Sequence, residues 1–159
     1  MKPPVTIEKL NEEWDNDIIE THEPDLQLEM LRIPSLHSKY SHIRSHHKLV
    51  SYALEEKYRN MKELRREWIE GKSEQETLEK YKWHQFQEKA IITRTQQESR
   101  LADDPVLTEI LLKKRLQDLI VEQCDSYIKE INNRGFYLRD RKSTRLNSSH
   151  SQQSRMPSS

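Results

Sequence analysis

The chain has 159 residues, 33% hydrophobic and 34% charged, with 27 basic against 27 acidic residues and a mean hydropathy of −1.05. That is little apolar surface for one thick core, yet the balanced charge is unlike the strongly charged chains that stay unfolded; long helices burying narrow stripes fit both facts. Two glycines, Gly71 and Gly135, argue against a turn-rich β fold, the single Cys124 excludes an internal disulfide and suits a reducing cytosolic setting, and no apolar run reaches bilayer length.

Met1-Lys2-Pro3-Pro4 has no apolar stretch behind it, so no signal peptide is expected. Ile7, Leu10, Trp14 and Ile18 are spaced as one face of a short amphipathic helix. The acidic stretch Glu20 to Asp25 ends it, and Pro24 begins a second short segment through Leu31. Pro34 is expected to stop that segment, with Ser35 capping the next helix. From Ser35 to Glu70, the residues Leu36, Tyr40, Ile43, His47, Val50, Leu54, Tyr58, Met61, Leu64 and Trp68 step by threes and fours. This predicts one helix about 50 Å long, with a heptad-like stripe made impure by His and three aromatics. Gly71 is its expected C′ residue.

Ser73-Glu74-Gln75-Glu76 reads as a capping box opening a helix through about Lys89, with Leu78, Tyr81, Phe86 and Trp83 partly buried. Ala90 to Leu101 stays open: Ile91-Ile92-Thr93 has strand character and the Gln-Gln-Glu run does not. Asp103-Asp104-Pro105 is a strong helix start. The last helix is expected to reach about Asn132, carrying Val106, Ile110, Leu116, Ile120, Cys124, Tyr127 and Ile131, with Gly135 as its C-cap.

Asp140-Arg-Lys-Ser-Thr-Arg-Leu-Asn-Ser-Ser-His150 is the in-frame translation of a common sequencing-library adapter, and Ser154-Arg-Met-Pro-Ser-Ser159 of its later segment, with an index-sized gap between them. Residues 140–159 are therefore expected to be an appended, disordered segment, with the native continuation past Arg139 missing. Setting aside Arg141, Lys142, Arg145 and Arg155 against Asp140 leaves a net charge of −3. A nucleic-acid site on this body has to be a local basic patch. The expected organisation is a short helical segment over 1–33, a helical domain over 34–139 and the appended tail.

Catalytic and metal chemistry find little support. Two glycines cannot build a phosphate-cradling loop, and one cysteine offers no zinc pair. His42 and His46 stand at i, i+4 with His47 beside them, but no carboxylate falls in the same turn; core or surface histidines account for them better than a metal enzyme does. Cys124 lies on an apolar stripe and reads as a buried thiol. No cofactor, metal or enzymatic activity is expected.

The positive signal is Lys57-Tyr58-Arg59-Asn60-Met61-Lys62-Glu63-Leu64-Arg65-Arg66-Glu67-Trp68. Arg59, Lys62 and Arg66 share a helix face, and Arg65 joins Lys62 across one turn. Such cations can track a phosphate backbone, with Tyr58 or Trp68 for base stacking. A solvated flank of i,i+4 ion pairs, with both aromatics in the core, accounts for the same residues.

The stretch from Ser38-Lys39-Tyr40 to Trp68-Ile69-Glu70-Gly71 resembles the equivalent helix of the UvsY family of phage recombination mediators. A second block is similar: Ala102-Asp103, Val106-Leu107, Cys124, Ile131 and Arg134-Gly135-Phe136. The resemblance covers most of residues 30–139. It implies an all-α protein assembling into rings of six or seven subunits in the cytoplasm of the infected host cell. It also implies binding to single-stranded DNA, displacement of the phage single-strand-binding protein, and loading of a RecA-like phage recombinase, without membrane or hydrolysis; with it, the basic stretch is read as the binding set Arg59, Lys62, Arg65, Arg66, Tyr58 and Trp68, of which Arg65 matches a family arginine. Two departures stand out: a basic family position falls on Glu63, and the family's continuation past Arg-Gly-Phe is replaced by the adapter peptide. The alternative is a structural coiled-coil or scaffold protein that binds no nucleic acid.

Overall fold

The computed structural model describes residues 6–20, 26–86 and 93–153. Among them are five helices and no strand: α1 (Ile7–Glu20), α2 (Leu26–Ile69), α3 (Gln75–Tyr81), α4 (Arg94–Ala102) and α5 (Pro105–Gln153). None is long and apolar enough to cross a membrane. The chain divides into two compact units, Met1–His47 with Leu119–Ser159, and Lys48–Asp118. The expected all-α class with long packed helices is what the structure shows.

The first unit packs α1 and its parts of α2 and α5 around Leu10, Trp14, Tyr40, Ile43, Ile120, Cys124, Tyr127 and Ile131. Its centre is aromatic. Trp14 stacks on Tyr127 at 4.1 Å between centroids, and Tyr40 meets both edge-on. Each phenol has a partner: Tyr40 donates to Asp17 at 2.8 Å and Tyr127 to Asn11 at 2.6 Å. Burial, and then Asp17, pushes the Tyr40 phenol well above its usual range.

Two expectations fail in this unit for one reason. Pro34 does not stop a helix; it sits inside α2. Proline removes one backbone donor and strains a helix interior, but Ile33 and Leu36 on either side pack against the aromatic core. Gly135 does not cap α5, which runs on to Gln153. A Cβ at Gly135 would lie 3.4 Å from Ile33 Cγ2, an ordinary contact distance, so this position of α5 faces α2 and is continuous helix rather than a cap. Beside it Arg134 donates to the buried carboxylate of Glu29. The Arg134-Gly135 pair thus docks one long helix on the other. Leu138 is the last buried residue among those described; Arg139 to Ser149 are all exposed.

The second unit is built on Met61, Ile69, Leu101, Leu107 and Ile110. Gly71 ends α2 as expected: its φ is +71°, its N–H reaches Trp68 O and the Lys72 N–H reaches Glu67 O, a Schellman closure. The expected box at Ser73 does not form. Glu74 is the N-cap of α3 and makes no side-chain cap. α3 stops at Tyr81, short of Lys89, because Lys82 turns left-handed at φ 56° and closes a second Schellman pattern onto Leu78. The capping box lies instead at Thr93 and Gln96, opening α4; Ile91 and Ile92, read as strand-like, fall outside the described residues. Asp104 and Pro105 start α5 as expected, with Asp104 Oδ1 accepting from the Val106 and Leu107 N–H groups. Leu116, expected in the stripe, is 40% exposed. A six-residue step from Ile110 leaves the face that a three- or four-residue step keeps.

Candidate nucleic-acid interface

The C-terminal part of α2 places the basic residues. Its inward face is set by Met61 and Ile69, both buried. Arg59, Lys62 and Arg66 lie on the flank beside that face, grouped by their spacing, with Arg59 exposed and the other two half-buried. Arg59 is exposed and makes no ion pair among the described residues. Lys62 Nζ lies 3.3 Å from Glu98 Oε2. Arg66 donates to Glu63 Oε1 at 2.6 Å and to Glu98 Oε1 at 3.1 Å. One carboxylate from α4 therefore bridges two of the three cations. The hydrogen bond from Lys62, then the Lys62 charge and Arg66, hold the Glu98 carboxyl below its ordinary range. α4 is positioned by its Thr93–Gln96 box and by Leu101, which is 2% exposed. Gln97 adds a 3.5 Å contact to Glu70.

Arg65 faces the other way. It is only 9% exposed, and its Nε donates to Asp104 Oδ2 at 2.5 Å. Its guanidinium lies 4.3 Å from the Trp68 ring centroid and 4.8 Å from that of Trp83. Asp104 thus does two things at once, capping α5 and neutralising a buried arginine. The signal for this was present in the spacing: Arg65 falls four residues after Met61 and four before Ile69, on the core stripe.

Tyr58 and Trp68 are half-buried and pack against the same core. The Trp68 indole donates to the His84 carbonyl at 2.7 Å and meets Phe86 edge-on. Trp83 stacks on Tyr81 at 4.9 Å between centroids. The six residues read as a binding set therefore separate by position: Arg59, Lys62 and Arg66 on the flank, Arg65 within, Tyr58 and Trp68 at the core's margin. Glu63 pairs with Arg66 from three residues away, but Glu98 lies 32 residues from Arg66 and Asp104 39 residues from Arg65, so local spacing does not signal those two pairs.

Other reactive side chains converge less. Among the described residues no group of three or more His, Cys, Asp or Glu is placed to hold a metal ion. His42 and His46 are exposed, and His47 is buried with its ring 5.2 Å from that of His46. Cys124 is fully buried, and burial pushes its thiol up to about 11, so it is protonated and unreactive at neutral pH.

A family model described as "Recombination, repair and ssDNA binding protein UvsY" matches residues 13–148, most of the chain. No curated protein and no solved structure matches.

Proposed function

The chain belongs to the UvsY family of recombination, repair and ssDNA-binding proteins, and from that premise we propose that it is a recombination mediator. In this reading it binds single-stranded DNA and helps load a RecA-like phage recombinase in place of the single-strand-binding protein, in the cytoplasm of the infected host. It binds and positions; it hydrolyses nothing. The observation that carries the site is the flank of α2, where Arg59 stands exposed beside Lys62 and Arg66. Phosphates take these three cations, while Arg65 supports the face from beneath through Asp104. Tyr58 and Trp68 flank it. The body's net charge of −3 gives no general attraction to DNA, so the patch has to be repeated around a homo-oligomer, a ring of six or seven copies. Exposed Leu49, Tyr52, Leu111, Leu112 and Leu116 offer apolar surface for the contact between copies.

A second reading has an observation of its own. The ion pairs of Lys62 and Arg66 with Glu63 and Glu98 are what a purely structural helix flank shows. One experiment separates the two. Arg59 and Lys62 are changed together to Ala, and binding to oligo-dT is titrated with salt. The mediator reading expects weaker binding and a salt slope flatter by about 0.7 per cation removed, with the oligomer's mass unchanged. Equal binding by wild type and double variant at every salt concentration favours the scaffold.

A further inference from the structure

We propose that Glu98 is a built-in phosphate mimic: its carboxylate holds Lys62 and Arg66 in the unbound protein, and a backbone phosphate displaces it when a single strand binds. The inference rests on the reading of this α2 face as the single-strand site, and it adds a regulator to that site, carried by α4.

The geometry is that of an anion in a two-cation clamp. Oε2 takes Lys62 at 3.3 Å and Oε1 takes Arg66 at 3.1 Å, so the two oxygens of one group are divided between the two cations. A phosphate diester presents the same pattern, two anionic oxygens on one centre, to the same donors. Carboxylate and phosphate therefore compete for one place.

The competition is winnable because the pair is exposed. The Glu98 side chain is 48% exposed, and Lys62 and Arg66 are 30% and 31%. Ion pairs in such settings are weak and screened by salt. Arg65 and Asp104 form the contrast: their side chains are 11% and 4% exposed, and Asp104 is also committed to capping α5. A phosphate cannot enter there without unseating a helix start. Exposure thus sorts two superficially similar salt bridges into one that can exchange and one that cannot.

Charge points the same way. Glu63 and Glu98 together neutralise Lys62 and Arg66, which leaves Arg59 as the net positive charge of the face. Removing Glu98 uncovers one more. Because α4 is fixed by its capping box and by buried Leu101, Glu98 is held close enough to return when the strand leaves. The consequence is a threshold: Arg59 makes the first contact, and a full grip needs the exchange at Glu98.

The test uses the full chain and fluorescently labelled oligo-dT, with anisotropy read across a sodium chloride series. Glu98→Gln keeps the shape and removes the charge. It should bind about two- to five-fold more tightly at low salt, the range an exposed ion pair is worth, and its salt slope should steepen. Glu98→Lys should tighten binding further. Glu109→Gln is the control: it makes the same change in net charge on α5, where Glu109 pairs with Lys113, and it should leave binding unchanged. Circular dichroism checks that each variant keeps its helix content. Binding by Glu98→Gln equal to wild type overturns the inference, as does equal tightening by Glu109→Gln. Lys62→Ala and Arg66→Ala tell the two failures apart. If they weaken binding while Glu98→Gln changes nothing, the face binds DNA and only the mimic is wrong. If they too change nothing, the reading of the face falls and the inference with it.

Discussion

In the unit formed by Met1–His47 and Leu119–Ser159, aromatic rings pack on each other: Trp14 on Tyr127, with Tyr40 edge-on to both. In the unit Lys48–Asp118, aromatic rings take a cation: Arg65 lies over Trp68 and Trp83. Both arrangements answer the same shortage of apolar side chains. Large rings bury much area per residue, and a planar guanidinium can lie on a ring and still bond a carboxylate through its edge. The difference lies in what each leaves outside. The first unit spends its phenols on Asp17 and Asn11. The second turns one arginine inward and leaves Arg59, Lys62 and Arg66 outward, where they can meet a polyanion.

The comparison breaks most visibly at Trp14. It is 8% exposed and touches both other rings of its cluster. Trp14→Ala should cost about 3–5 kcal/mol of stability, the range for deleting a large buried aromatic. Urea unfolding followed by circular dichroism measures it. A loss below about 1 kcal/mol, the average for any substitution, would mean that the ring stack is not what holds this unit.

Arg65 sharpens the other side. Arg65→Met keeps the apolar stem under Trp68 but leaves Asp104 buried and uncompensated. A loss of about 3 kcal/mol is expected, because breaking one partner of a buried pair strands the other charge. Adding Asp104→Asn should recover more than half of it, since Asn caps a helix as well as Asp does. If the double variant is as unstable as the single one, Arg65 stabilises through the tryptophans rather than through Asp104.

How much of this was legible follows from the range of each interaction. Gly71 and the Asp104–Pro105 start were readable because capping is decided within one turn. Tyr40, Ile43, His47 and Met61 were readable as one stripe, and all four are buried. Pro34 and Gly135 misled because each carries a strong local rule that packing at Ile33 overrode. The box at Ser73 misled because the same chemistry was available at Thr93, and that is where it forms. Arg65 carries a charge that suggests the surface, but its spacing from Met61 and Ile69 puts it on the core stripe, and position decides. Glu98 was beyond reach, because nothing within one turn of it names Lys62 or Arg66.

The smallest effect is expected at the end of α5. The helix continues from Leu138 to Gln153, yet from Arg139 to Ser149 every residue is exposed. Helices draw most of their stability from burying a face, and this stretch buries none. Arg141 lies 5.9 Å from the exposed ring of Tyr137, a contact open to water. The docking of α5 is complete before it begins, at Arg134 on Glu29, Gly135 on Ile33 and the buried Leu138. Over 140–159 the sequence expectation is an appended adapter peptide with no packing of its own. We therefore propose that ending the chain after Arg139 changes the unfolding free energy by no more than about 0.5 kcal/mol, the range for surface changes away from any special feature. The measurement is urea unfolding of the shortened and full chains side by side. Each helical residue lost should lower the circular dichroism signal in proportion, while the midpoint stays in place. A fall in midpoint equivalent to more than about 1 kcal/mol, a typical destabilising substitution, would show that the segment packs somewhere, and it would remove the ground for treating it as an appendage.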